Sequence, residues 1–149
     1  MTDADELGTR LRRLEDERDI SRLIASYGPA VDAGDADVAA RLWATDGSYD
    51  VEGWQMGSRA DVHAMVSSPS HQSLVANGCC HFIGPTVVTV TGESAVAVCE
   101  SLVLVCDGDG YRDGGQRQII SCCSGSMTGG RSQRAPVASS TEVLGRTPC

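Results

Sequence analysis

Hydrophobic residues are spaced for helices early in this chain and for strands late in it. Leu7, Leu11, Leu14, Ile20, Leu23 and Ile24 recur at helical spacing among charged residues, which puts them on one side of a helix. From Cys80 onward the apolar residues gather in short valine-rich runs, first Val87, Val88 and Val90, then Ala95 to Cys106. Side chains branched at Cβ fit a pleated surface better than a helical one, so these runs read as strands. Helices first and strands afterwards point to an α+β fold, with the helices packed on one face of a mainly antiparallel sheet.

Local signals divide the chain further. Residues from about Asp5 to Val31 read as one long helix, which Gly28-Pro29 kinks or interrupts because proline has no N–H to give. Asp35 or Asp37 can cap a second helix through Ala44. Asp46-Gly47 is a turn, and Ser48 to Glu52 alternates as a strand. Ser58 caps a third helix, Arg59 to Val66. Ser67 to Gly78 is polar and irregular, a loop or a short helix. The run from Cys80 to Thr91 turns at Gly92-Glu93, and the run from Ala95 to Cys106 ends at Asp107-Gly108-Asp109-Gly110, a hairpin signal.

The 149 residues suffice for one domain. A net charge of −8 argues against nucleic acid and anionic membranes as partners, since both need basic patches. No apolar run approaches the ~20 residues of a membrane span. The acidic N-terminus is unlike a signal peptide, so a cytoplasmic location is expected. Of the 7 cysteines none forms a CxxC pair, and Cys79-Cys80 and Cys122-Cys123 do not match zinc spacing. They read as reduced thiols, with no metal and no cofactor implied.

Composition changes at about Asp113. Residues 1–112 hold 8 Arg against 18 acidic residues, whereas 113–149 hold 4 against 2 and have no aromatic residue. The expected organisation is an α+β domain over 1–112 and an atypical segment over 113–149 that completes or covers the sheet edge. Within that segment Gln118 to Cys123 and Pro136 to Leu144 could be strands, and the rest reads as loop.

Asp32 and His81 are the residues on which chemistry could rest. An imidazole titrates near ~6.5 and takes a proton at neutral pH after a modest shift. A buried carboxylate on one ring nitrogen fixes the tautomer and stabilises the imidazolium. The opposite division, with Asp as the direct base, works equally well in an apolar pocket. Each residue also has a plainer reading, Asp32 as a turn residue and His81 as a satisfied core histidine. Tyr49 is a core aromatic or a polariser of substrate. His63 and His71 read as surface residues.

Helix, Val31-Asp32, a short helix holding Leu42-Trp43, Asp46-Gly47, Tyr49, Val51-Glu52-Gly53 and then His81 form an order that resembles the SnoaL-like (polyketide-cyclase-like) branch of the nuclear-transport-factor-2-like superfamily. The nearest pattern is that of lindane dehydrochlorinase, with scytalone dehydratase and ketosteroid isomerase more distant. The resemblance covers about residues 7–112. It implies a cone-shaped, curved, mainly antiparallel sheet with N-terminal helices on its concave side, a cystatin-like α+β barrel. It implies Asp32 and His81 as a catalytic dyad with Tyr49 facing the pocket; Tyr27, Trp43 and Trp54 are the candidate substrate-binding residues, Trp43 also reading as core and Trp54 as a residue at the pocket rim. Tyr27 stands where the dehydrochlorinase pattern has a lysine, so that basic group is missing.

The activity implied is a cofactor-independent lyase or isomerase that takes a proton from a small apolar, cyclic molecule. The alternatives are a non-catalytic pocket protein or structural oligomer, and a small subunit of a ring-hydroxylating oxygenase. A homo-dimer or homo-trimer is implied by the resemblance alone. After Arg112 the resemblance calls for two long strands with a Trp, which this chain lacks. Residues from Gln116 on, back-translated with GC-leaning codons and read one base out of register, can give two amphipathic strands about an Asp-Gly turn, with a Trp. A single-base frameshift near Asp113 is the expectation that follows.

Overall fold

A computed structural model describes residues 3–51, 54–119, 122–123 and 138–139, with backbone only for Val51, Trp54 and the residues after Arg112. The chain opens with helix α1 (Asp3–Ala25), followed by α2 (Tyr27–Asp32) and α3 (Ala36–Arg41). Strands β1 (Tyr49–Val51) and β2 (Trp54–Met56) come next, then α4 (Arg59–Ser67) and α5 (Pro69–Asn77). The strands that follow are β3 (Cys79–Ile83), β4 (Val87–Thr91), β5 (Ser94–Val98), β6 (Glu100–Asp107) and β7 (Gly110–Ile119), with a short pair β8 (Cys122–Cys123) and β9 (Ala138–Ser139). The pairings are antiparallel throughout, as the α+β expectation requires.

The long N-terminal helix is broken where the sequence says it should be. Pro29 has no N–H to offer the carbonyl of Ala25, so the hydrogen-bond ladder ends there and restarts at Tyr27. Only the later part of α1 is buried, through Ile20 and Ile24, whereas Leu7, Leu11 and Leu14 stay exposed. Asp35 caps α3 by accepting from the Val38 amide at 2.9 Å. Ser58 caps α4 through the Asp61 amide. The segment from Ser67 to Gly78 resolves as a helix because Ser68 caps it at the His71 amide and Pro69 sits in its first turn.

Strands β3 to β6 form one long hairpin. Cys79 pairs with Val105 and Ile83 with Ser101 at its open end, and Val87 pairs with Val98 and Thr91 with Ser94 near its tip. Between the two stretches the register slips by one residue, where Gly84-Pro85-Thr86 lies opposite Cys99-Glu100. The slip reverses which residues point inward. Cys79, His81 and Ile83 are covered on β3, but Val88 and Val90 are covered on β4. The facing arm keeps one phase, burying Ala95, Ala97, Cys99 and Ser101. Gly84 suits this close approach: its N–H donates to the Glu100 carbonyl oxygen at 2.8 Å, and a Cβ there would lie only 3.0 Å from that oxygen.

Two apolar clusters hold the layers together. Ile20 and Ile24 of α1 pack on Ala95, Ala97 and Cys99, with Leu23, Val88 and Val90 beside them. Tyr27, Val31, Ala39, Trp43, Tyr49, Met56, Val62 and Val66 form the second, which joins α2, α3, α4 and the β1–β2 hairpin. Ile83 touches both. One expectation is corrected here. Asp113 to Arg117 are not loop; they continue β7, which pairs with β6 from Gly110 to Ile119 and covers that edge. Glu52-Gly53, most of the segment from Pro136 to Leu144 and the remainder of the C-terminal part lie outside the described residues.

Candidate active site

Asp32 is the last residue of α2, a poor place for a carboxylate, since helix carbonyls point at it. Hydrogen-bond donors from β3 offset that. The backbone N–H of His81 donates to Oδ2 at 2.9 Å and to Oδ1 at 3.1 Å. The His81 ring meets the same carboxylate through Nδ1, 2.6 Å from Oδ1. Cys79 donates its thiol to Oδ1 at 3.6 Å. Cys79 and His81 are two apart on β3, so both side chains face the helices. The pair is shielded but reachable, with 15% of the His81 side chain and 23% of that of Asp32 exposed.

Close approach of α2 to β3 depends on Gly28. It is buried, and a Cβ there would lie 2.2 Å from the His81 carbonyl oxygen, an impossible contact. A glycine one turn before Asp32 therefore lets a helix backbone rest against the strand that carries the imidazole.

An aromatic wall adjoins the pair. The rings of Tyr27 and His81 meet edge to face with centroids 6.4 Å apart. Tyr27 also packs against Trp43 at 5.0 Å and Tyr49 at 5.9 Å. The Tyr27 hydroxyl donates to that of Tyr49 at 3.5 Å, and both residues are buried. Burial pushes the Tyr49 phenol up to about 12. It raises Tyr27 well above the ordinary phenol range, with the Tyr49 hydroxyl and the Asp32 charge adding to it. Both are hydrogen-bond groups rather than charges at neutral pH. Burial, then the Asp32 carboxylate, pushes the Cys79 thiol up to about 11.

The structure thus brings Asp32, His81, Tyr49, Tyr27 and Trp43 together. Trp54 joins β2 by its backbone, and its side chain lies outside the described residues. Two neighbours escaped sequence reasoning. His71, read as a surface residue, is 8% exposed on α5. Its Nε2 lies 3.0 Å from the Val31 carbonyl oxygen, which can only accept, so the ring carries its proton on Nε2. Its ring lies 5.9 Å from that of His81, tilted by 37°. The cap at Ser68 and the proline after it were the signals for α5, but nothing local marks which side of so polar a helix turns inward. Cys79 was legible in principle, since alternate residues of a strand share a face. His63 is half-exposed, as expected, and sits 3.2 Å from Asp37.

Comparison with known proteins identifies the family and the fold. A model of the SnoaL-like domain matches residues 12–124. A crystal structure of an NTF2-like protein with a cystatin-like fold from Novosphingobium aromaticivorans is 40% identical, with a TM-score of 0.77 over 83% of this chain and 80% of that one. The β subunit of a provisionally assigned aromatic-ring-hydroxylating dioxygenase from the same bacterium is 18% identical, with a TM-score of 0.62 over 90% of this chain and 94% of that one. A provisionally assigned scytalone dehydratase, again from that bacterium, is 13% identical, with a TM-score of 0.56 over 97% and 99%. At such identities the last two share the fold alone. No curated protein matches the chain. Among the described residues no helix is long and apolar enough to cross a membrane. By the span of the domain match and the 40% identity of a solved relative, the chain belongs to the SnoaL-like family.

Proposed function

We propose that this chain is a cofactor-independent lyase or isomerase that abstracts a proton from a small apolar, cyclic molecule. The observation that carries the reading is the 2.6 Å contact between Asp32 and the Nδ1 of His81, set beside two buried phenols. A ring proton on Nδ1 directed at the carboxylate leaves Nε2 with a lone pair, so His81 is the base. Asp32 holds the tautomer and stabilises the imidazolium that forms. Tyr49 polarises an oxygen on the substrate, with Tyr27 behind it, and Trp43 backs the wall. His71 is a positioning residue, steadying the turn from which Asp32 projects.

Proton abstraction can be measured without knowing the natural substrate. Cyclic ketones with an acidic C–H are incubated with the protein in D2O, and deuterium wash-in is followed by NMR. A general base contributes roughly 10²–10⁴-fold, so His81→Ala and Asp32→Asn should each lower the rate by about that factor while leaving the fold intact. Equal rates in the wild type and His81→Ala would sink the reading. A second reading, support of a larger oxygenase subunit, draws on the likeness to a dioxygenase β subunit. It predicts no wash-in at all and a partner that co-purifies with His81→Ala as well as with the wild type.

We propose that a single-base frameshift near Asp113 replaced the C-terminal part of the chain. The change of composition after Arg112 supports this reading, and the shifted frame can supply two strands and a Trp. Sequencing the gene tests this. Finding no such strands in either other frame would refute it.

A further inference from the structure

We propose that Asp32, Cys79 and His81 form a binding site for a zinc-class divalent ion. A carboxylate oxygen, a thiol sulfur and an imidazole nitrogen all lie within 4.8 Å of one another, and all three residues are partly covered. These are the donor types that zinc takes, at bond lengths of ~2.0 Å to oxygen, ~2.0 Å to nitrogen and ~2.3 Å to sulfur. Tetrahedral angles at those lengths put sulfur and oxygen about 3.5 Å apart; here Cys79 Sγ and Asp32 Oδ1 are 3.6 Å apart. Oxygen and nitrogen should be about 3.3 Å apart, so the 2.6 Å between Asp32 Oδ1 and His81 Nδ1 must open by a small rotation of the carboxylate.

Placement argues in the same direction. Two donors come from alternate positions of one strand, whose pairing with β6 fixes their spacing, and the third comes from the end of α2. Asp32 is 47 residues from Cys79 and 49 from His81, so the three donors make no CxxC-type pattern in the sequence and meet only in the fold. Three protein donors leave a fourth tetrahedral position for water or another ligand.

The charges and protons balance. Cys79 loses its thiol proton to solvent. The His81 ring releases its proton from Nδ1 and takes one on Nε2, remaining neutral. Two anionic ligands then cancel the charge of the divalent ion. An ion bound in this way occupies the atoms that His81 and Asp32 share, so the metal-loaded chain has lost its base. The site goes beyond the proposed reaction and does not rest on it, since binding is read by spectroscopy rather than turnover.

The test uses the reduced, chelator-treated full chain titrated with Co2+ alone. One equivalent should produce a thiolate-to-cobalt charge-transfer band in the near ultraviolet, release about one proton, and give way to Zn2+. Cys79→Ser should abolish the band and His81→Ala should weaken binding at least tenfold, while Cys80→Ser leaves both unchanged. Zinc K-edge absorption of the wild type at one equivalent provides a check that needs no substitution. It should report one sulfur with nitrogen and oxygen neighbours. No band, a band that survives Cys79→Ser, or a zinc shell with no sulfur or with several overturns the site.

Discussion

Cys79 and Cys80 are neighbours in sequence with opposite prospects. Cys80 is exposed, while Cys79 is half-buried with its thiol on the Asp32 carboxylate. The thiolate is the nucleophile in alkylation, and burial beside a negative charge keeps Cys79 protonated. Brief treatment with iodoacetamide at pH 8 should therefore label Cys80 and spare Cys79, as peptide mass spectrometry would reveal; equal labelling would contradict the placement. His71 is open to a different test. Its ring donates to the Val31 carbonyl directly before Asp32. His71→Leu leaves that position without a buried donor, at a cost of about 1–3 kcal/mol, and should lower deuterium wash-in more than His71→Gln does. Denaturant titration measures the first effect and the wash-in assay the second. If His71→Leu and His71→Gln give the same wash-in rate, the ring does not position the base.

Between elements, the contact that matters most to the site is the one from α2 to β3. Gly28→Ala would drive a methyl group into the His81 carbonyl. Overpacking of this kind costs about 1–3 kcal/mol, and the helix can relieve it only by moving away from the strand. Urea titration should show that loss, and wash-in should fall with it because Asp32 moves with its helix. An unchanged midpoint would mean that the two backbones are not in contact. The sequence made the elements legible wherever a local rule acts, as in the break at Gly28-Pro29, the caps at Asp35 and Ser58, and the turn at Gly92. It left Ser67 to Gly78 open because polar residues do not declare a helix by period. It also missed Asp113 to Arg117, where pairing with β6 orders a segment whose own residues favour loop.

At the scale of the molecule, two buried phenols make the fold sensitive to alkali. Tyr27 and Tyr49 both have raised values in the folded chain. Below the unfolded value of ~10 the phenols are protonated in either state and the stability is fully present. As pH rises from 10 towards about 12, the unfolded chain gives up its phenolic protons first, and stability is lost. Thermal melts between pH 9 and 12 should fall steeply, and Tyr49→Phe should flatten the fall; parallel curves would place the phenols in water. The dyad was half legible from sequence, since Asp32 and His81 could be named, but their meeting depends on how the hairpin is phased. Gly84, Pro85 and Thr86 hold one residue more than the opposite arm matches. That surplus acts as a half-twist in a ribbon, turning β3 relative to β4. Delete one residue there and Ile83 would stand four rather than five positions before Val88, so a plain alternating strand would keep Cys79, His81 and Ile83 on the inner side together with Val88 and Val90. The surplus residue is thus what lets two stretches an odd number of positions apart, one ending at Ile83 and the other covered from Val88, share the inner side.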